Sequence, residues 1–428
     1  MPPTALLDAV KERLPVPAGN ALGRLLNLAR KRSLSVYLVG GSVRDLLLGR
    51  PNLDLDLALE GDAISLAREL AAATGGRLTS HRRFGTATVR AEGFALDLAM
   101  TRTETYARPG ALPSVRPADL RQDLARRDFT VNATALGLSG PDEGSVVDPC
   151  GGQGDLERGL IRVLHQASFQ DDATRILRAL RYAGRLGFRL EPRTRDLLRR
   201  DLSFLDTISG ARLRRELILI LREERAPDIF SACGAAGVLG AAHPSLGLDR
   251  LVTAALRSLA EGPALASREE AMFCLLASGA DEDGLRELIR RLGLEGRVKA
   301  ALFDSLRLRA QAPALDEADL PPSQLTALLE RYRPSAVWAL ALTAEGQARE
   351  RVLRFLRQWR SLRPRLDGRA LRTLGVPEGP AMGAILARLR EARLDGRAAT
   401  RDDELALARS LAIEARNQPA AATAGRDG

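Results

Sequence analysis

Residues 38–57, LVGGSVRDLLLGRPNLDLDL, leave a chain few ways to fold. The apolar run SVYLVG (35–40) predicts a compact strand, and Gly40 and Gly41 end it and open a helix. Without Cβ atoms in the way, backbone N–H groups at that helix start can meet a phosphate, and Arg44, one turn in, can reach the same anion. Strict alternation in LDLDL predicts a second strand. Residues i and i+2 of a strand point to one side, so Asp54 and Asp56 converge on one spot. Two unpaired acids repel each other there, and a divalent cation is the usual remedy. A glycine turn alone, or an acid pair on a half-exposed strand alone, is commonplace. Strand, GG, helix, Arg, then a strand bearing DxD is a far more specific order: Gly40, Gly41 and Arg44 to hold a triphosphate, Asp54 and Asp56 to hold its metal. Asp97, in ALDLA on an expected neighbouring strand, adds a candidate third carboxylate. Hard oxygen ligands of this kind suit Mg²⁺.

Further strands are predicted at 86–93 and 94–100, with a helix through AISLARELAAATGG and two short amphipathic helices over 4–33, so the pattern is mixed α/β to about residue 150. From 171 to about 415 it becomes amphipathic helix with short breaks and no convincing strand, and NQPAAATAGRDG at the end reads as disordered. At 428 residues the chain is long for one domain, and two to four compact units are expected. No stretch approaches 18 apolar residues and the acidic start does not resemble a signal peptide, so no membrane association and a cytoplasmic location are expected. Cys150, Cys233 and Cys274 are scattered and the histidines number three, which argues against disulfide frameworks and His/Cys zinc sites. The net charge of +10 suits a polyanion such as nucleic acid; arginine-rich codon usage gives the same excess, since the only lysines are Lys11, Lys31 and Lys299.

Downstream of DLDLA come RRFGTATV, LDLAMTRTETYARPGALPSV, DLARRDFTVNATAL, VVDPCGGQGDLERGLIRVLH, DDATRILRALRYAGRLGF and ISGARLRRELILIL, in that order. Together with LVGGSVRDLLLG these resemble the motifs of the class II tRNA nucleotidyltransferase and bacterial poly(A) polymerase family, of the polymerase-β-like superfamily, over roughly residues 35–225. The resemblance implies an α+β fold: a nucleotidyltransferase head with a mixed sheet (1–150), an all-α neck that recognises the base (151–225), a helical body and tail that bind tRNA (226–415) and a disordered end (416–428). It implies an Mg²⁺-dependent enzyme that adds CCA to the tRNA 3′ end from CTP and ATP, releasing pyrophosphate and holding the acceptor and TΨC arms. Addition of A alone and poly(A) synthesis are the alternatives within the family. A non-catalytic RNA-binding protein and a nucleotidyltransferase acting on small molecules are the rivals outside it. The oligomeric state is not legible.

Arg127, in RRDFTVNA, reads equally as a surface charge or a phosphate ligand. The resemblance implies nucleotide contact, with Asp128 and Asn132 bracing the site. The charged, Pro-containing stretch before it, TRTETYARPGALPSVRPADLRQD, reads as a mobile loop, and the residues after it as a β-rich run turning into a small-residue helix. Arg175, Arg178, Arg181 and Arg185 fall within about 120° of one helix face. Such a stripe is ordinarily solvated or salt-bridged, and Asp171 and Asp172 stand near enough to pair with part of it. By resemblance, Asp172 and Arg175 act as an amino-acid template for the base, and Arg178 and Arg181 contact nucleotide or phosphate. The template idea is chemically sound: a carboxylate accepts from the amino group that adenine and cytosine share, a guanidinium donates to ring nitrogen or carbonyl, and G and U leave polar groups unpaired. The Gly/Pro loop in DGRALRTLGVPEGPAMGAILARL (367–389) reads either as a phosphate seat or as a plain helix–helix turn.

Overall fold

A computed structural model of the chain describes residues 3–50, 54–111, 113–261, 267–317 and 319–417. It divides into two compact units, Met1–Pro244 and Ser245–Gly428. In the first, helices α1 (Pro3–Arg13) and α2 (Val16–Lys31) lead into β1 (Val36–Val39), α3 (Gly41–Leu47), β2 (Asp56–Leu59), α4 (Ala63–Thr74), β3 (Arg77–His81), β4 (Thr86–Ala91) and β5 (Phe94–Met100). Next in the chain are β6 (Arg102–Thr105), β7 (Ser114–Pro117), α5 (Leu120–Ala125), β8 (Ala135–Ser139), β9 (Val146–Val147), α6 (Gly152–Arg158), β10 (Leu160–Ile161) and α7 (Ser168–Asp171). The unit ends through α8 (Thr174–Leu186), β11 (Arg189–Leu190), α9 (Pro192–Arg200), α10 (Gly210–Leu221), α11 (Ala226–Ala235) and α12 (Val238–Ala242).

Seven strands form one mixed sheet in the order β3-β4-β5-β2-β1-β8-β9, and β2 with β5 is its parallel pair. β1 is central and buried on both faces, which is why VYLV shows no alternation. Ala21, Leu22 and Leu25 of α2 and Leu66, Ala67 and Leu70 of α4 share one core with Leu38, Leu57, Leu96 and Leu98 of the sheet. On the other face Leu120 and Leu124 of α5 pack with Tyr37, Val39, Ala58 and Ala135. A helix stack on one face and a short helix on the other leave the ends of β1 and β2 open at the side where α3 begins.

The structure redraws three sequence expectations. The stretch read as a loop holds β6 and β7, which pair antiparallel from Arg102↔Pro117 to Thr105↔Ser114; Leu112 lies outside the described residues. TVNATALGLS is a buried 3₁₀ turn (Thr130–Asn132) and then the strand β8 beside β1, not a helix. A two-residue strand, β11, stands within the region read as all helix and pairs parallel with β10. β2 begins at Asp56, so Asp54 precedes the strand, while Leu53 lies outside the described residues. The exposed–buried alternation nevertheless runs through Asp54, Leu55, Asp56 and Leu57.

Among the described residues the second unit contains helices and no strand. Arg268–Leu276 and Pro334–Thr343 are its most buried helices, and Leu371, Leu389 and Ala408 belong to a separate core formed by its last helices. Its final helix ends at Asn417, and the rest of the stretch expected to be disordered lies outside the described residues. No described helix is long and apolar enough to cross a membrane.

Candidate active site

The first unit contains a cleft of about 610 Å³ that opens where β1 turns into α3. Gly40 and Gly41 line it, as do Arg44, Asp54, Asp56, Arg127, Asp172, Arg175 and Arg178. Gly40 is required by its φ of +68°, and it leaves room for the end of the Arg127 side chain, whose Nη1 would stand 2.8 Å from a Cβ there. Its N–H donates to Thr134 O at 3.0 Å, which ties the turn to the segment preceding β8. Arg44 is 2% exposed and firmly placed. It donates through Nε and Nη2 to the two oxygens of Asp45, at 2.9 Å each, and through Nη1 to Asn132 Oδ1 at 2.6 Å.

The acidic side of the cleft is built differently. Asp54 and Asp56 point away from buried Leu55 and Leu57, and neither has a hydrogen-bond or ion-pair partner among the described residues. Although Asp56 keeps an exposed face, desolvation by the surrounding cleft pushes its carboxyl above the usual carboxylate range, and the neighbouring charges of Asp97 and Asp54 push the same way, with Arg127 opposing. Asp97 stands beside Asp56 in strand register but accepts from Thr88 Oγ1 and does not line the cleft. Among the described residues no group of three or more His, Cys, Asp or Glu side chains is gathered to hold a metal. Asp97 is therefore next to Asp56 in register without completing a three-carboxylate cluster, and one of its oxygens is taken up by the Thr88 hydroxyl on β4. Two unpartnered carboxylates side by side remain a donor set that fits Mg²⁺, which takes one or two carboxylates and fills its octahedron with water and substrate phosphate.

Opposite lies a wall of arginines, most of them tied to an acceptor. Asp123, 1% exposed, accepts from both Arg126 and Arg127. Burial alone would raise its carboxyl, but the two guanidiniums hold it below the usual range. Asp128 accepts from Arg178 at 3.0 and 2.5 Å and from Asn132 Nδ2 at 3.0 Å. Its burial is likewise outweighed, and it too is held low. Arg44, Asn132, Asp128 and Arg178 thus form one continuous chain across the cleft, which is the bracing expected of Asp128 and Asn132.

Arg181 departs from expectation. It is 6% exposed, does not line the cleft, and pairs with Glu216 at 3.3 Å and Glu223 at 3.1 Å. At about 100° per residue it lies furthest round the stripe from Arg175, and there it meets the acids of α10 and the turn after it. Arg185 lines the cleft within 3.8 Å of Asp45. The anticipated template pair is brought together without touching. Arg175 donates from Nη1 to Ser168 O and Oγ, at 3.3 and 2.8 Å, and from Nη2 to Arg126 O at 2.9 Å. Asp172 instead accepts from Arg212 Nη2 at 2.7 Å.

Residues that sequence reasoning left unassigned also line the cleft. Arg212, Arg215 and Glu216 come from α10, inside the motif ISGARLRRELILIL, to whose members the sequence assigned no roles. Tyr182 lies one turn past Arg178, and the guanidiniums of Arg44, Arg178 and Arg181 surround its ring at 5.0–5.4 Å, with Phe129 edge-on at 5.9 Å. Glu104 and Tyr106 come from the β6–β7 ribbon and its turn. Glu104 accepts from Arg102, Arg126 and Tyr106, and burial together with Glu104 pushes the Tyr106 phenol up. An uncompensated acidic edge facing a rigid cationic wall can seat a metal–triphosphate with its base directed at Asp172 and Arg175.

Comparison with known proteins agrees with this geometry. Residues 36–162 match the family described as Poly A polymerase head domain, and residues 187–246 the one described as probable RNA and SrmB- binding site of polymerase A. The chain is 36% identical over 96% of its length to the A-adding tRNA nucleotidyltransferase of Geobacter sulfurreducens, and 41% identical over 53% to that of Halalkalibacterium halodurans. It spans about half the length of each, 49% and 54%. It is 33% identical to the CC-adding tRNA nucleotidyltransferase of Deinococcus radiodurans, covering 86% of this chain and 87% of that one. A CCA-adding enzyme solved in its apo form superposes with a TM-score of 0.81 at 30% identity, over 95% of this chain and 98% of the other.

Proposed function

The chain belongs to the class II tRNA nucleotidyltransferase and poly(A) polymerase family, and on that premise we propose that it transfers adenylate from ATP to the 3′ end of tRNA, releasing pyrophosphate. The observation that carries the reading is the pairing within one cleft of the free carboxylates Asp54 and Asp56 with the arginine wall and with Asp172 and Arg175. Arg44 and Arg127, with the Gly40–Gly41 turn, receive the triphosphate. Asp172 and Arg175 face the adenine edge. Asp128 and Asn132 keep the arginines in place, so little reorganisation is needed as charge builds on the phosphates. Asp54 and Asp56 would hold Mg²⁺, which when bound would supply charge neutralisation and a lowered pKa for the attacking 3′-hydroxyl. That hydroxyl displaces pyrophosphate in line at the α-phosphorus. The neck, 151–225, is assigned to base recognition, and the helices after it, 226–415, to the acceptor and TΨC arms of tRNA along their phosphates. The match of 187–246 to an RNA-binding family supports RNA contact by the end of the neck and the first helices after it.

Adenylate is put first because the A-adding relative from Geobacter sulfurreducens aligns with nearly the whole chain. Full CCA addition from CTP and ATP is the second reading, favoured by the structural likeness to a CCA-adding enzyme and by the amino group that cytosine and adenine share. Labelled tRNA transcripts ending before CCA, after C and after CC, each incubated with CTP, ATP or both, decide between them. Extension of the CC-ended transcript alone, by ATP alone, is the expected result. CTP-dependent growth of the two shorter transcripts establishes the CCA reading, untemplated runs of A the poly(A) reading, and no extension of any transcript removes all three.

A further inference from the structure

We propose that Arg212 is a positioning residue for base selection: it aims the one carboxylate oxygen of Asp172 that remains open to a nucleotide base. The inference rests on the proposed function, in which Asp172 faces the base edge. Asp172 sits between α7 and α8 in an extended conformation, φ −144° and ψ 98°, outside either helix. Its Oδ1 accepts from Thr174 N at 3.0 Å and Thr174 Oγ1 at 2.7 Å. A carboxylate oxygen has two lone-pair positions, so Oδ1 is filled. Oδ2 accepts from Arg212 Nη2 at 2.7 Å, which leaves one position. That position is the place on this side chain where the amino group of adenine or cytosine can donate. Rotation about χ2 of an aspartate is broad, and the carboxylate plane is fixed by two anchors, Thr174 on one oxygen and Arg212 on the other, so loss of Arg212 leaves the open position held from one side only.

Arg212 is itself well placed for this task. It stands in the first turn of α10, a helix begun by Ser209, whose hydroxyl accepts from Arg212 N at 3.4 Å. One turn further on, Glu216 lies 3.3 Å from Arg181 and 3.8 Å from Arg178, so the helix is anchored to α8 by carboxylates as well as by apolar contact. Arg175, in turn, is held by Ser168 and the Arg126 carbonyl rather than by Asp172. The two halves of the template are therefore aimed by separate supports.

The test measures equilibrium binding of ATP, CTP, GTP and UTP to the full chain without RNA, by competition against a fluorescent ATP analogue, so that which RNA end is extended does not enter. The wild type should prefer ATP and CTP. In Arg212→Met the ratio of ATP to GTP and UTP affinity should fall by about tenfold, the scale of one well-placed hydrogen bond in a desolvated site. Arg212→Lys should restore much of it, and Arg212→Gln replaces the Met variant if that one does not fold. In an Asp172→Ala background the same Arg212 substitution should change the ratio by less than about twofold, because its object is gone. A uniform drop for all four nucleotides, a lysine variant that restores nothing, or an undiminished effect in the Asp172→Ala background overturns the role of Arg212. Equal binding of the four nucleotides by the wild type overturns that role together with the base-reading assignment beneath it, whereas a ratio that falls in Asp172→Ala and holds in Arg212→Met removes Arg212 alone.

Discussion

The two sides of the cleft solve opposite electrostatic problems. On the wall, Arg44 has Asp45, Arg127 has Asp123, Arg178 has Asp128 and Arg212 has Asp172. On the edge, the Asp54 and Asp56 carboxylates have no partner among the described residues, and desolvation, with the charges of Asp97 and Asp54, makes Asp56 harder to ionise. A fold that pairs its arginines so thoroughly has left those two acids bare. Compensated charge holds geometry; uncompensated charge is what a fold tolerates where a ligand brings the counter-charge. Substitutions on the edge should therefore cost activity and spare the fold, and substitutions on the wall should cost both.

The largest effect is expected at the edge. Asp54→Ala and Asp56→Ala should each lower nucleotide addition by about three decades or more, since several kcal/mol of charge stabilisation at the phosphates is lost and each ~1.4 kcal/mol is tenfold. Thermal unfolding without metal should be unharmed, because no hydrogen bond is broken and a repulsion is relieved. A destabilised Asp56→Ala, or one that turns over near the wild-type rate, would erase the contrast between edge and wall.

On the wall the balance reverses. Asp128→Ala leaves Arg178 and Asn132 without their acceptor in a region where Asp128 is 8% exposed. Breaking such a pair costs about 3 kcal/mol, toward the low end of the range for buried pairs because Arg178 keeps some solvent. Both tryptophans, Trp338 and Trp359, belong to the second unit, so their fluorescence does not report on this loss. Hydrogen exchange in peptides spanning 120–139 does, and it should rise there while the second unit is unchanged. Unaltered protection around Asn132 would show that the chain from Arg44 to Arg178 is decoration.

Legibility in the sequence divides along the same line. Edge and turn are local: Asp54 and Asp56 are specified by alternation and Gly40 by its positive φ, which neighbouring residues set. The wall is tertiary. Asp172 finds Arg212 forty positions away, and Arg181 turns to Glu216 and Glu223 because α10 packs against α8; no spacing rule on a single helix announces either choice. The ribbon was missed for a different reason. RTET and SVRP are short, polar and half-exposed, so they bury too little to show a period of two. In β8 the opposite holds: ALGLS is buried throughout, and a run of small buried residues carries no periodicity that separates strand from helix.

The smallest expected effect is also the most diagnostic of compensation. Asp123 and Asp128 are both held below the ordinary carboxylate range: burial opposes ionisation, and Arg126, Arg127 and Arg178 outweigh it. In the folded state they therefore bind protons less readily than in the unfolded chain, where an aspartate titrates near about 3.9. The unfolded state takes up more protons as the pH falls, so the stability these two groups contribute is fully present above about pH 5 and is lost as the pH drops through about 4 toward their folded values. As the pH falls from about 5 through about 4, exchange protection of 120–139 should fall in the wild type. It should fall less steeply in Asp128→Asn, which starts lower but has one fewer carboxylate to protonate. An equally steep fall in that variant would place the acid sensitivity elsewhere and leave the wall held by packing rather than by paired charge.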